Sequence, residues 1–154
     1  MKTVTIYTDG SSKGNPGPGG WAAILDFNGI KKEIYGSEEE TTNNRMELTA
    51  VIKALEILKE PCNAIIYSDS KYFCDSLGKG WVQKWKDNGW KKSDGKPTLN
   101  TKLWARIIFL AKIHKIRVVW VKGHAGNENN ERCDFLATSA AESVIKRGNK
   151  KFSQ

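Results

Sequence analysis

The sequence predicts an α/β fold, with a mixed β-sheet and helices on the faces of that sheet. Three strand-like segments open the chain and are joined by short turns, a pattern typical of an antiparallel meander. Two later apolar segments of strand length alternate with segments of helical spacing, which indicates further strands packed against helices. The length of 154 residues fits one domain.

The opening strands are predicted from β-branched and apolar runs that end at turn-forming residues. The first covers residues 4–8 and stops at Asp9-Gly10. The glycine- and proline-rich residues 14–20 then cannot continue regular structure. The second and third strands cover residues 21–27 and 30–35, and Asn28-Gly29 between them supplies the positive φ angles of a two-residue hairpin.

Helical spacing begins after Asn43 or Asn44, either of which can cap a helix that is terminated by Pro61. The other predicted elements are a strand at 64–68, a helix capped by Ser70 and running to about residue 77, a helix at about 100–113, a strand at 116–121 and a helix at about 130–145. We expect residues 1–145 to form a single domain and the basic tail, residues 146–154, to be disordered.

Composition and charge favour a globular protein with a polyanionic partner. The formal net charge is +8, although a solvated lysine-rich surface would give the same value. No apolar run approaches the roughly 20 residues of a membrane span, so no membrane association is expected. Cys62, Cys74 and Cys133 are odd in number, and we expect reduced thiols in the cytoplasm. No secretory leader is apparent, so the mature chain is expected to begin at Met1.

Four acidic residues lie near the ends of predicted elements and could form a cation site. Asp9 and Asp69 follow predicted strands, where α/β sheets place ligand sites, and Glu47 and Asp134 lie near the starts of predicted helices. Each alone could be a capping or dipole-compensating residue. Together they suit Mg²⁺, which takes oxygen ligands and keeps waters that a phosphate can displace. His124, in a glycine-flanked loop near Asp134, is either a functional residue or an ordinary loop residue.

A segment rich in tryptophan and lysine, residues 80–98, is the main candidate for nucleic-acid binding. From Lys79 to Lys102 there are seven lysines and two aspartates. Lysines neutralise phosphates and indoles offer flat apolar surfaces, so the segment favours a nucleic-acid groove. A helix that packs its tryptophans inward and exposes a solvated lysine face would show the same pattern, and both interpretations can hold together.

Five separated blocks of the sequence resemble bacterial type I ribonuclease H, and the resemblance spans nearly the whole chain. The blocks are Tyr7-Thr8-Asp9-Gly10-Ser11, Gly14-Asn15-Pro16-Gly17-Pro18-Gly19-Gly20, Thr42-Asn43-Asn44-Arg45-Met46-Glu47-Leu48, Ser68-Asp69-Ser70 and Val121-Lys122-Gly123-His124-Ala125-Gly126. The resemblance implies a ribonuclease H-like fold whose five-stranded mixed sheet is an antiparallel meander followed by parallel strands. It also implies an endonuclease that hydrolyses the RNA strand of RNA–DNA hybrids with two Mg²⁺ ions, or Mn²⁺ as a substitute, and leaves 5′-phosphate and 3′-hydroxyl ends.

The resemblance implies roles for individual residues as well. Asp9, Glu47, Asp69 and Asp134 would be the catalytic metal ligands, and His124 would carry a proton or aid product release. The basic protrusion, residues 80–98, would grip the DNA strand. Substrate contacts are expected from Asn15, Thr42, Asn43, Asn44, Lys71, Trp81, Lys84, Trp85, Lys86, Trp90, Lys91, Lys92 and Asn100. The chain departs from its bacterial relatives at Lys71, where they commonly have glutamine, and at Lys102, where an aspartate is familiar.

Two other functions stay open from the sequence. A related metal-dependent exonuclease or DNA strand-transfer enzyme could share the fold, since a fold alone does not choose among reactions. A non-catalytic hybrid-binding module is the other alternative, although such a protein would not need all four acidic residues. The basic protrusion argues against the related exonuclease or strand-transfer enzyme. The expected protein is a monomer whose partner is an RNA–DNA hybrid duplex.

Overall fold

A computed structural model describes residues 1–123 and 127–152, with side chains through residue 148. It contains five strands and five helices within those residues. In chain order they are β1 (Lys2–Ser12), β2 (Gly17–Phe27), β3 (Ile30–Thr41), α1 (Asn43–Glu56), β4 (Cys62–Ser68), α2 (Lys71–Gly78), α3 (Trp81–Asp87), α4 (Thr101–Ile113), β5 (Lys115–Trp120) and α5 (Glu128–Phe152). No helix in this described part of the chain has the length and apolar character required to cross a membrane.

The five strands form one mixed sheet in the order β3-β2-β1-β4-β5, which confirms the predicted fold class. β1, β2 and β3 pair antiparallel, whereas β4 pairs parallel with both β1 and β5. The hairpin between β2 and β3 turns at Asn28 and Gly29, with φ angles of 51° and 86°. This turn confirms the hairpin predicted from the Asn-Gly pair.

The opening strands extend further than the sequence predicts. Asp9 lies inside β1, not at its end, and β2 begins at Gly17, within the segment expected to be irregular. The glycines are there because of packing. A Cβ on Gly20 would lie 2.1 Å from the carbonyl oxygen of Ala137 in α5, so only glycine allows this helix to lie against the strand. Residues 17–20 are therefore a closely covered strand and not a loop.

The ends of α1 and α5 differ from the prediction. Thr42, not Asn43 or Asn44, caps α1, its hydroxyl accepting a hydrogen bond from the Arg45 amide at 3.2 Å. α1 ends at Glu56, several residues before Pro61. α5 begins at Glu128 and continues to Phe152, so residues 146–152, expected to be disordered, are helical. Lysine and arginine favour helix and suit its C-terminal end, which explains why the last turns persist without apolar periodicity. The predicted cap at Ser70 is confirmed.

Helices cover both faces of the sheet. The main core lies on the α1 and α4 side and includes Ala23 of β2 together with the fully buried Trp104 of α4. The adjacent residue Ala22 points to the other face, where it packs with Leu136 and Ala137 of α5. Alternation along β2 thus separates two packed layers.

Candidate active site

β1 brings Asp9 to the face of the sheet that α5 covers. Asp9 and Ala22 are direct cross-strand partners in the β1–β2 ladder, so their side chains share one face. Ala22 packs against α5, the helix that contains Asp134. Asp9 is 6% exposed, and one of its carboxylate oxygens accepts a hydrogen bond from the Gly10 amide at 2.9 Å.

The neighbouring Gly10 determines how closely α1 approaches the site. A Cβ at this position would lie 2.3 Å from the carbonyl carbon of Met46 and 2.4 Å from the amide nitrogen of Glu47. Glycine therefore permits backbone contact between β1 and α1. This contact places the buried Glu47 carboxyl next to Asp9.

Asp69 enters from the parallel half of the sheet. β4 lies beside β1 and ends at Ser68, and the next residue is Asp69. The Val121 amide donates to the Ser68 carbonyl at 2.9 Å, and the indole Nε1 of Trp120 donates to the Asp69 carbonyl at 3.3 Å. The end of β5 therefore holds the backbone that carries Asp69.

The four acidic residues line a single cleft of about 420 Å³. Ligand oxygens of Asp9, Glu47 and Asp69 lie within 4.8 Å of one another. Asp134 lines the same cleft, and its charge acts on Asp9. The structure thus brings all four sequence-predicted carboxylates together.

Burial and mutual repulsion perturb two of these carboxyl groups. Burial raises the pKa of Asp9 to about 7, and the charge of Asp69 acts in the same direction. Burial likewise raises the pKa of Glu47 well above its ordinary range, reinforced by Asp9 and Asp69. A cluster of this kind gains from a bound cation, which would favour the ionised carboxylates and release protons on binding.

The residues present fit a hard divalent cation. Glu47 Oε2 is buried and has no hydrogen-bond partner among the described residues, so it is an acceptor that a cation could satisfy. All members of the cluster offer carboxylate oxygen, and neither cysteine nor histidine belongs to it among the described residues. Oxygen ligands of this type select magnesium or manganese over zinc.

Asparagines and Lys71 surround the cleft. Asn43, Asn44 and Lys71 line it directly. Asn43 Oδ1 accepts from the Ser12 amide at 2.6 Å, and Asn15 Oδ1 accepts from the Asn43 amide at 3.2 Å. These bonds fix both amide oxygens on protein donors and direct the amino groups elsewhere. Thr42 is occupied in capping α1.

The basic protrusion forms a second groove of about 450 Å³, lined by Trp81, Lys84, Trp85, Asn88, Lys91 and Ser93. Both sequence interpretations of its tryptophans apply. Trp85 and Trp90 pack against the main core, whereas Trp81 is 40% exposed and has Lys79 Nζ 5.3 Å from its ring centre. Lys86, Trp90 and Lys92 do not line this groove.

Asn100 and His124 are the last two residues predicted from the sequence, and Tyr72 and Trp120 are additional residues at the site. Asn100 reaches the cleft indirectly, because its Nδ2 donates to the hydroxyl of Tyr72, which lines the cleft. His124 lies outside the described residues. Tyr72 and Trp120 were not predicted as site residues from the sequence. The available signal for Trp120 was its place one residue before the end of the strand predicted at 116–121, and its contact with Asp69 appears only in the structure.

A carboxylate cluster beside a basic groove on a mixed α/β sheet is the arrangement of a metal-dependent nuclease. The model of the RNase H family matches residues 1–142. Ribonuclease H of Acetivibrio thermocellus is 53% identical over 151 residues, covering 98% of this chain and 100% of that protein. The crystal structure of LC9-RNase H1, a type 1 RNase H with the type 2 active-site motif, has a TM-score of 0.83 at 32% identity, covering 94% of this chain and 74% of the other.

The chain belongs to the RNase H family, and the resemblance to bacterial type I ribonuclease H is confirmed, as is the nuclease class. A further structure with the same fold is LC11-RNase H1 in complex with RNA/DNA hybrid. It has a TM-score of 0.69 at 24% identity and covers 92% of this chain and 99% of that one.

Proposed function

We propose that this protein is a magnesium-dependent endonuclease that cuts the RNA strand of RNA–DNA hybrids. The observation that supports it most is the convergence of Asp9, Glu47 and Asp69, with ligand oxygens within 4.8 Å, in the cleft that Asp134 also lines. Family membership supports the same reaction, and LC11-RNase H1 was solved with an RNA/DNA hybrid.

The four carboxylates would hold two Mg²⁺ ions, with Mn²⁺ as a possible substitute. When bound, such ions activate water and neutralise charge on the attacking and leaving oxygens of an in-line displacement. The protein contributes a fixed set of acceptors. Asp9 is anchored by the Gly10 amide, and Glu47 is held against β1 by the backbone contact at Gly10. Hydrolysis would leave 5′-phosphate and 3′-hydroxyl ends.

Asn15, Asn43 and Asn44 would recognise the hybrid beside the scissile phosphate. The amide oxygens of Asn15 and Asn43 already accept backbone hydrogen bonds, so their amino groups are oriented as donors. A 2′-hydroxyl can accept such a bond and is the group that distinguishes RNA from DNA. Thr42 would act by holding the start of α1, and Asn100 through Tyr72.

The basic protrusion would bind the DNA strand. Lys84 and Lys91 line a groove with Trp81 and Trp85, so cationic and flat apolar groups face the same space. Phosphates would bind the lysine ammonium groups, and sugars or bases would pack against the indole rings. Lys86, Lys92 and Trp90 would extend or support this groove.

His124 would carry a proton or aid product release. An unperturbed imidazole has a pKa of about 6.5 and changes charge close to neutral pH. We propose this role from the sequence position of His124 between Gly123 and Asp134.

Every proposed metal ligand comes from one chain, which supports a monomer. Location in the cytoplasm is supported by Cys62, Cys74 and Cys133, which are buried and free of disulfides.

The function is tested by incubating the purified protein with an end-labelled RNA–DNA hybrid in magnesium, manganese or chelator. Internal cuts in the RNA strand are expected with either metal and none with chelator. Single-stranded RNA and duplex DNA should stay intact. Asp9→Asn should abolish cleavage but retain hybrid binding. Asp26→Asn is the same change at an aspartate that accepts a hydrogen bond from the Gly29 amide in the β2–β3 turn, and it should cleave normally.

The alternatives give different products. A related exonuclease would release mononucleotides from the ends and spare a hybrid with blocked ends. A non-catalytic module would bind the hybrid equally well in magnesium and chelator and leave it intact. Either pattern would replace the proposed endonuclease.

A further inference from the structure

Lys71 and Trp120 form a pair at the rim of the acidic cleft. Lys71 is the first residue of α2 and lines the cleft. Its ammonium nitrogen lies 5.4 Å from the centre of the Trp120 ring, within cation–π distance. Trp120 is 45% exposed, so the pair lies at the protein surface.

The same indole also contacts the backbone of the metal-binding cluster. Trp120 is the last residue of β5 and the parallel partner of Ser68 in β4. This register places its Nε1 within 3.3 Å of the Asp69 carbonyl, to which it donates. One side chain therefore holds the segment that carries Asp69 and offers its face to Lys71.

We propose that Trp120 is a positioning residue for hybrid cleavage: its ring holds the Lys71 ammonium as a contact for a substrate phosphate next to the cleft, and its N–H fixes Asp69. This rests on the proposed function. A free lysine side chain loses rotamer freedom when it binds a phosphate, and an aromatic face that already restricts it reduces this loss. The ring of Trp120 would thus serve substrate binding, and its N–H would serve catalysis.

The separation makes the proposal testable with three variants. Lys71→Met removes the charge, Trp120→Leu removes the ring and the N–H, and Trp120→Phe keeps an aromatic face but lacks the N–H. Hybrid binding is measured by fluorescence anisotropy at several salt concentrations in an Asp9→Asn background. Steady-state kinetics are measured with Asp9 intact.

Lys71→Met should weaken binding and flatten the slope of log K against log salt by about 0.9, the effect of removing one phosphate interaction. Trp120→Leu should weaken binding by about two- to fivefold, the range of an exposed cation–π contact, with a lower kcat. Combining Lys71→Met with Trp120→Leu should weaken binding no further than Lys71→Met alone. Trp120→Phe should keep KM near that of wild type and lower kcat, because it removes only the hydrogen bond to Asp69.

Lys2→Met is the matched control, since Lys2 Nζ lies 5.4 Å from the Phe27 ring, near the opposite end of β1 from Asp9. It should change neither binding nor kcat. Additive losses in the double variant, or unchanged binding in folded Trp120→Leu, would overturn the proposal. If wild type bound hybrids without cutting them, the proposed function would fail, whereas the binding cycle would still test the pairing of Lys71 with Trp120.

Discussion

Replacing Asp9 with asparagine should stabilise the metal-free protein at alkaline pH, although it should abolish cleavage. Asp9 is buried beside Asp69 and Glu47, and its pKa is raised from 3.8 to about 7. The folded protein therefore keeps this proton up to about pH 7, whereas the unfolded chain releases it near pH 3.8. Wild-type stability should fall as pH rises between these values.

The size of the effect follows from the two pKa values. Each pKa unit corresponds to ~1.4 kcal/mol, so the ionisation of Asp9 should cost about 4 kcal/mol between pH 4 and pH 8. The asparagine side chain of the Asp9→Asn variant cannot ionise and does not incur this cost. Removal of the Asp9 charge also takes away one cause of the raised pKa of Glu47, so Glu47 ionises at a lower free-energy cost. This effect further stabilises the variant relative to wild type at high pH.

Urea unfolding in chelator, followed by circular dichroism from pH 4 to pH 8, measures this difference. Relative to the free energy of unfolding of wild type, that of Asp9→Asn should rise by about 4 kcal/mol as pH increases over that range. Glu33→Gln is a control in which the pH dependence should have the opposite direction, because the hydrogen bond from Arg132 lowers the pKa of Glu33. This variant should be less stable than wild type at neutral pH, and the difference should begin to shrink as pH falls below 4.5 toward the lowered pKa of folded Glu33. Parallel curves for Asp9→Asn and wild type would show that folding does not raise the pKa of Asp9.

The remaining predictions concern packing, titration and substrate binding. Gly10→Ala should lower stability by about 1–3 kcal/mol and reduce activity, because its Cβ would meet the Met46 backbone. The control Gly148→Ala, with open space around it, should be at least as stable as wild type in thermal melts. Burial lowers the pKa of His114, whose Nδ1 accepts a hydrogen bond from the Cys62 amide. Because the unfolded chain takes up this proton more readily than the folded protein, wild type should lose stability relative to His114→Asn as pH falls below 6.5, measured by urea unfolding. Replacing Lys84 and Lys91 with alanine should flatten the salt dependence of hybrid binding by about 0.9 for each phosphate interaction removed, and an unchanged slope would make them solvated surface lysines.

The order of the strands and helices can be predicted from local sequence. The positions of the strand ends cannot, because they depend on packing between distant parts of the chain. Asn28-Gly29 determines a hairpin within a few residues, so β2 and β3 could be placed correctly. The extension of β2 back to Gly17 depends on α5, because Gly20 lies against the backbone of Ala137 more than a hundred residues later. Local propensity assigns such glycines to loops, and only the packed helix shows why they lie in a strand.

The site could be predicted only in part, because some of its residues have a local sequence signal and others are brought in by tertiary packing. Asp9 and Asp69 stood out because both follow apolar strand segments. Glu47 and Asp134 looked like ordinary residues near helix starts until the resemblance connected them. Trp120 gave no local signal beyond its place at the end of a strand, since its contact with Asp69 arises from the parallel pairing of β4 and β5 across 51 residues.

The carboxylate cluster is expected to cut the RNA strand of a hybrid with the help of a divalent cation. The most direct measurement is gel analysis of an internally labelled hybrid with blocked ends, cut in magnesium by wild type and by Asp9→Asn. Wild type should give internal RNA fragments with 5′-phosphate ends, and Asp9→Asn should bind the hybrid and leave it intact. Equal cleavage by Asp9→Asn, or cleavage by wild type in chelator, would show that the cluster does not act through a bound cation.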